Sequence, residues 1–380
     1  MTVREAFLRC MRFEPTQRVP NFELGYWGQT VERWIAEGMP PEEAESGGFH
    51  GHEYFGIDPR PCLWVNFGPM PPLGGEIIEE TDRYVVFTDG DGVLHKALKE
   101  GTVRGTRLSM DQYISFAVSK AEDFERIKPH FDPNTPGRRP DKLAEVAAQH
   151  ANRDYPLCAV PNAAFGLYSH LRRFMGTENL SYAWYDQPRL LHEMLDFFTD
   201  FAIETLRPCL EAVPCDYFNF FEDFAYKNGP LFSPAVFREF LMPRYRRIVE
   251  FLAGYGVDII WFDTDGNVDV LLPLLVEAGV TCLWPLECAA NNDPREIRKR
   301  MGHNLVLSGG IDKRALFGDK AHIRAELEAK IPPLLEDGGY IPTIDHAIPP
   351  EVPYDNWLYY LELKAEMIGA EPPVPCRRTC

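Results

Sequence analysis

Apolar and polar positions along the chain fall into two patterns. Val3, Phe7, Leu8 and Met11 recur at helical spacing within the first fifteen residues, which predicts an amphipathic helix. A strand entry follows at residues 18–24. A second helix is expected at Thr30–Glu37, stopped by Gly38 and Pro40. From about residue 155 the pattern becomes a rhythm. Short apolar runs stand at Leu157–Val160, Tyr217–Phe220, Val257–Trp261, Val280–Trp284, Leu305–Leu307 and Tyr340–Thr343. Helical stretches separate them, as at Arg189–Ala202, Pro234–Ala253, Val268–Glu277 and Lys320–Leu335. Strand, loop and helix in repetition predict βαβ units around a parallel sheet. With the strand near residue 20, seven strands are legible and an eighth is not. No GxGxxG turn opens the first unit, which favours a (β/α)8 TIM barrel over a doubly wound sheet.

Residues 46–110 break the rhythm, being rich in Gly and Pro. Within them, Glu80–Thr88, the turn Asp89-Gly-Asp-Gly92 and Val93–Lys96 predict a β-hairpin. This stretch is expected to be an insertion at the mouth of one barrel domain spanning residues 1–370. The Pro-rich residues 371–380 are expected to form an exposed arm.

Composition changes the picture mainly by exclusion. The chain has 380 residues and a formal net charge of -18, which disfavours nucleic acid and anionic membrane surfaces as partners. No apolar stretch reads as a signal peptide or a membrane span. The nine cysteines are scattered, without a CxxC pair, which suggests reduced thiols and a cytoplasmic setting.

In a barrel the chemistry gathers where strands end. Polar residues after the apolar runs are therefore the candidates: Glu222, Asp223, Tyr226 and Lys227, then Asp263, Asp265 and Asn267. After the later runs come Glu287, then Ser308-Gly309-Gly310 with Asp312, and last Asp345 and His346. Acids sharing one pocket raise each other's pKa, and either a cation or a retained proton relieves them. Asp263, Asp265, Glu287 and His346 are accordingly candidate ligands for a divalent metal, with zinc foremost. Asp265, His346, Glu222, Asp223 and Lys227 are candidate catalytic groups. Ser308, Gly309 and Gly310 either cradle an anion on backbone N–H groups or pack tightly at the rim. His50 and His52, spaced like ligands, are expected to be surface residues. Cys288, although it follows Glu287, is expected to be a small buried side chain.

Several segments together resemble the uroporphyrinogen decarboxylase superfamily. They are the opening FLRCMRFEPTQRVP, the run Ser233–Tyr245, the segment Ser308–Asp312, and Ile348–Asn356. The resemblance implies a (β/α)8 barrel. In the decarboxylase branch an R-Q-A-G-R segment and an F-S-D-I segment grip the substrate's carboxylates and pyrroles. Here the corresponding stretches read Gly25-Tyr-Trp-Gly-Gln-Thr30 and Tyr54-Phe-Gly-Ile-Asp58, without either signature, so the comparison with that branch implies that the chain is not itself a uroporphyrinogen decarboxylase. In the corrinoid-dependent methyltransferase branch the zinc ligands come from H-x-C-G and a late Cys. Those positions fall on Asp263-Thr264-Asp265-Gly266 and on His346. The resemblance so laid out implies a metal-dependent methyltransferase or demethylase. It would move a methyl group between a small donor or acceptor and a corrinoid, the latter carried on a partner protein. A decarboxylase or lyase for a small carboxylated substrate is the second expectation. In it Asp265 or His346 donates a proton, with Lys227 or Tyr226 assisting. A non-catalytic corrinoid- or tetrapyrrole-binding protein is the third.

Overall fold

The computed structural model describes residues 1–44, 51–107 and 109–377. Its centre is a parallel five-stranded sheet in the order Tyr340–Ile341, Val306–Ser308, Cys282–Trp284, Ile259–Asp263, Tyr217–Phe221. Each strand runs parallel to its neighbour, and the intervening helices cross over outside, as the rhythm from residue 155 predicts. Single parallel bridges extend the sheet beyond Tyr217 to Cys158, and from Cys158 to Cys62. On the far edge Tyr26 bridges Ile348. The Asp58 amide donates to the Asn21 carbonyl, which brings the ends of this curved wall together. Segments 19–26, 61–65 and 157–160 with the five strands thus make eight staves of a distorted barrel.

The stave missing from the sequence reading is 61–65, inside the stretch expected to be an insertion. Leu63, Val65 and Phe67 are buried while Trp64 is exposed, the period-two alternation of a strand. Pro59, Pro61 and Pro69 hide it, since proline cannot donate to a ladder.

The first helix, Val3–Met11, starts at a capping box of Thr2 and Glu5. Its buried face carries Ala6, Phe7, Cys10 and Met11, so Leu8 belongs to the flank. Phe7 sits 5.1 Å from the Tyr217 ring and 5.9 Å from Trp261 (centroid distances), closing one end of the barrel with aromatic packing.

A buried ion pair closes the seam between the first and last staves. Lys364 and Glu23 are both fully buried and bonded to each other. Lys364 Nζ also donates to the Phe22 carbonyl at 3.1 Å, and Glu23 accepts from Tyr360 Oη at 2.7 Å and from the Ile344 amide at 3.0 Å. Ile344 lies two residues before His346, so the seam fixes the strand end that carries it.

The expected hairpin is present and belongs to a four-stranded antiparallel sheet, Ile77–Glu80, Tyr84–Thr88, Leu94–Leu98 and Gln112–Ser115. Asp89 makes its turn, accepting from the amides of Asp91 and Val93. His52 is buried, with Nδ1 3.4 Å from Tyr26 Oη, and is not a surface residue; His50 lies outside the described residues. Of the tail, residues 371–377 are described, and Pro373 is buried. No helix among the described residues is long and apolar enough to cross a membrane.

Candidate functional site

The strand ends bring Asp223, Asp263, Asp265 and His346 into one neighbourhood at the barrel mouth. His346 Nε2 lies 3.3 Å from Asp265 Oδ2, both side chains about one-third exposed. That contact raises the His346 pKa above its ordinary 6.5, against the opposing effect of burial. Asp263 is buried, and burial pushes its pKa well up; the nearby Asp265 and Asp223 carboxylates push it further. Arg60 and a hydrogen bond with Asn162 pull the other way, and burial outweighs them. Beneath Asp263, the barrel interior is filled. Arg60, Asn162, Asn219 and Trp284 line a small void there, about large enough for one water molecule. Arg60 is buried there among aromatic faces, its guanidinium 4.9 Å from the Trp284 ring and 5.0 Å from Phe22. Sequence reasoning missed this cation because no motif marks it.

The remaining candidates point elsewhere. Glu222 is fully buried and accepts from the amides of Leu167, Tyr168 and Ser169 and from Tyr245 Oη. It caps the helix Leu167–Met175, whose own N-cap residue is Gly166 and has no side chain to do so. Burial lifts its pKa to about 7. Lys227 is exposed on the turn between the short strands Ala225–Tyr226 and Gly229–Pro230. Glu287 accepts from the Gly266 amide at 2.9 Å and so fixes the loop that presents Asp265. Asp345 is fully buried and accepts from the amides of Cys288 and Lys313.

Gly309 and Gly310 spend their amides on the carbonyls of Ile341 and Pro285. Their geometry is the tight packing at the rim, one of the two readings their sequence left open. A Cβ on Gly309 would stand 1.8 Å from the Pro285 carbonyl oxygen. Ser308 is fully buried below them. The Cys288 thiol is half-buried, donates to the Gly310 carbonyl, and is pushed up to about 12 by burial. The expected metal set is thus divided. Asp265 and His346 pair, Asp263 sits below them, and Glu287 faces a loop amide. Among the described residues no group of three or more His, Cys, Asp or Glu side chains is arranged to hold a metal ion.

An open cleft of about 460 Å³ is lined by Asp223, whose carboxyl senses the Asp265 and His346 charges, and by Asp89 and Asp91. The antiparallel sheet forms one wall and the helix Leu167–Met175 the other. From the helix come Arg172 and Arg173. Arg172 Nη2 donates to Asp223 Oδ2 at 2.9 Å, and Arg173 Nε lies 3.4 Å from Asp91 Oδ2. Neither arginine was singled out from the sequence. The available signal was their position, on the first helix after the 157–160 stave.

The family described as uroporphyrinogen decarboxylase matches residues 107–366. A uroporphyrinogen decarboxylase of Thermus thermophilus is 28% identical over 375 residues, covering 96% of this chain and 98% of that protein. Another, of Syntrophotalea carbinolica, is 25% identical over 210 residues, and the match spans 58% of that protein. Among solved structures, a methyltransferase from Methanosarcina mazei superposes with a TM-score of 0.60 over 96% of this chain and 99% of that one. At 18% identity that likeness shows the shared barrel fold alone. These findings correct the leading expectation of zinc- and corrinoid-dependent methyl transfer. The sequence relatives are decarboxylases, and the residues laid on the zinc-ligand positions do not form a metal cluster. The chain belongs to the uroporphyrinogen decarboxylase family.

Proposed function

We propose that the protein is a decarboxylase for a small carboxylated substrate bound at the barrel mouth, with His346 as the proton donor. The observation that carries this reading is the Asp265–His346 contact of 3.3 Å, with Asp223 linking it to a cleft that bears two arginines. Decarboxylation breaks a C–C bond, releases CO2, and leaves the electron pair on carbon. That carbon then needs a proton. An imidazolium held charged by Asp265 is a suitable source, its nitrogen regaining a proton from solvent afterwards. Asp265 positions the ring. Burial of Asp263, which raises its pKa, disfavours a further negative charge beside the carbon where charge develops.

The arginines hold a carboxylate that stays. Gripping the departing carboxylate would stabilise the ground state and slow its loss. Arg172 has guanidinium N–H groups beyond the one on Asp223, enough to take a second carboxylate. The reaction class is supported by the likeness to uroporphyrinogen decarboxylases.

The test is direct measurement of CO2 release from uroporphyrinogen and from smaller mono- and dicarboxylic acids. Release by the parent is expected to fall at least about a hundredfold in His346→Ala, the usual contribution of a general acid. Substrate binding is expected to persist in that variant. Undiminished release by His346→Ala would overturn the reading.

A further inference from the structure

One cation at the strand ends takes no part in the proton transfer. Lys313 opens the short helical turn Lys313–Phe317, which follows the strand Val306–Ser308. Asn356 Nδ2 donates to the carbonyls of Leu316 at 2.8 Å and Gly318 at 2.7 Å, which pins that turn to the helix Tyr354–Ile368. Asp345 Oδ1 holds Lys313 at both ends, accepting from its amide at 3.2 Å and from Nζ at 3.4 Å. Asp345 is the residue before His346. On the other side, Glu287 Oε1 lies 4.0 Å from Nζ. His346 senses both the Glu287 and the Lys313 charges. Lys313, Glu287 and His346 therefore share one neighbourhood, each brought there by a different strand end. The Lys313 side chain is 20% exposed, so a ligand can reach it.

Lys313 spends little on its partners. An ammonium has three N–H donors, and neither 3.4 Å nor 4.0 Å is a close contact. The surrounding charge also selects. Two carboxylates face one ammonium, which disfavours an anionic ligand group at Nζ. A neutral carbonyl oxygen meets no such repulsion. Once that oxygen is at hydrogen-bond distance, charge growing on it stands nearer to the ammonium than to either acid. A decarboxylase has a use for such an oxygen, because the electron pair left by the broken C–C bond must be spread before carbon is protonated. We infer that Lys313 is a catalytic residue that donates a hydrogen bond to a substrate carbonyl, and that the substrate is a β-keto acid. The bond between the α carbon and its carboxyl group breaks, and CO2 leaves. The electron pair becomes the double bond of an enolate, whose oxygen accepts from Lys313. His346 then gives its proton to the α carbon, and the enolate returns to a ketone. Lys313 acts as a donor throughout and forms no imine. This inference rests on the decarboxylase reading for the reaction and adds the substrate class.

CO2 release by the full chain, measured against the uncatalysed rate, tests the claim with two kinds of acid. Acetoacetate and β-ketoadipate carry a carbonyl to take up the electron pair. Uroporphyrinogen and a dihydroxybenzoate use their rings instead. Acceleration is expected for the β-keto acids and not for the ring acids. Lys313→Met should lower kcat on the β-keto acids about a hundredfold or more with little change in KM, since the charge on oxygen develops only in the transition state. Lys313→Arg keeps a cation beside Asp345 but presents its donors differently, so it should hold the parent's urea midpoint and still lose activity. A further readout needs no CO2. Deuterium exchange beside the levulinate carbonyl runs through the same kind of enolate, and the parent should accelerate it while Lys313→Met does not. Three results would overturn the inference and leave the decarboxylase reading: acceleration of the ring acids alone, a borohydride-trapped adduct at Lys313, or undiminished turnover in Lys313→Met (in Lys313→Arg, should Lys313→Met fail to fold). Lys313-dependent exchange with no CO2 release from any acid would overturn the decarboxylase reading alone. Absence of both CO2 release and exchange would overturn both.

Discussion

Replacing Lys364 by Met should be among the costliest single changes in the barrel. The side chains have similar length, so the substitution removes charge and donors and leaves little void. What remains is Glu23, fully buried, still accepting from Tyr360 Oη and the Ile344 amide but without its cation. Breaking a buried pair on one side costs about 3–5 kcal/mol, because a charge is left uncompensated in a medium that solvates it poorly. That is a large part of the roughly 5–15 kcal/mol that holds a domain folded. With a urea slope of about 3 kcal/mol per M, the midpoint should fall by about 1 to 1.7 M. Unfolding followed by tryptophan fluorescence reads this directly, since Trp34, Trp261 and Trp357 are buried. The double variant Glu23→Gln/Lys364→Met removes the orphaned charge and keeps an acceptor for Tyr360 and Ile344. It should recover at least half of the loss. A single variant that loses less than about 1 kcal/mol, or a double variant worse than the single, would refute the reasoning.

Tyr245→Phe should destabilise by about 1–3 kcal/mol in the same unfolding assay, because the buried Glu222 loses its side-chain donor. Glu222→Gln tests the pH dependence of that cap. The folded pKa of Glu222 is raised from 4.5 to about 7, so its contribution is fully present below 4.5 and is lost as pH rises through about 7. The stability of the parent relative to Glu222→Gln should decline over that window, and a flat difference would contradict it. Gly309→Ala should cost more than about 4 kcal/mol or prevent folding, since the new Cβ meets the Pro285 carbonyl at 1.8 Å and the backbone φ is +107°. A stable Gly309→Ala protein would show that the rim is less tightly packed than described.

The fold was legible where secondary-structure period and connectivity agree. From Tyr217 onward each expected strand is present within a few residues, because buried parallel strands read as short apolar runs. The stave at 61–65 was not legible, since three prolines surround an alternation only three side chains long. The site was legible as a set of positions and not as a set of contacts. Asp265 and His346 do meet, but Glu222, Glu287 and Asp345 turn back to amides of neighbouring loops, a choice that spacing along the chain does not record. Arg60, Arg172, Arg173 and Lys313 carry positive charge around the site and follow no motif. They become visible only when the staves close and the antiparallel sheet lies against the helix Leu167–Met175.

The pH profile of kcat/KM for CO2 release tests the central claim most directly. His346 acts as a proton donor only while charged. Its pKa is raised above 6.5 by the Asp265 contact, so activity should be sustained below that raised value and fall as pH rises through it. Asp265→Asn removes the charge that holds the proton and should move this alkaline limb to lower pH, toward the ordinary histidine value. It should also lower kcat more than it raises KM. An alkaline limb that stays where it is in Asp265→Asn, or a profile unchanged in His346→Ala, would contradict the assignment of His346 as the proton donor.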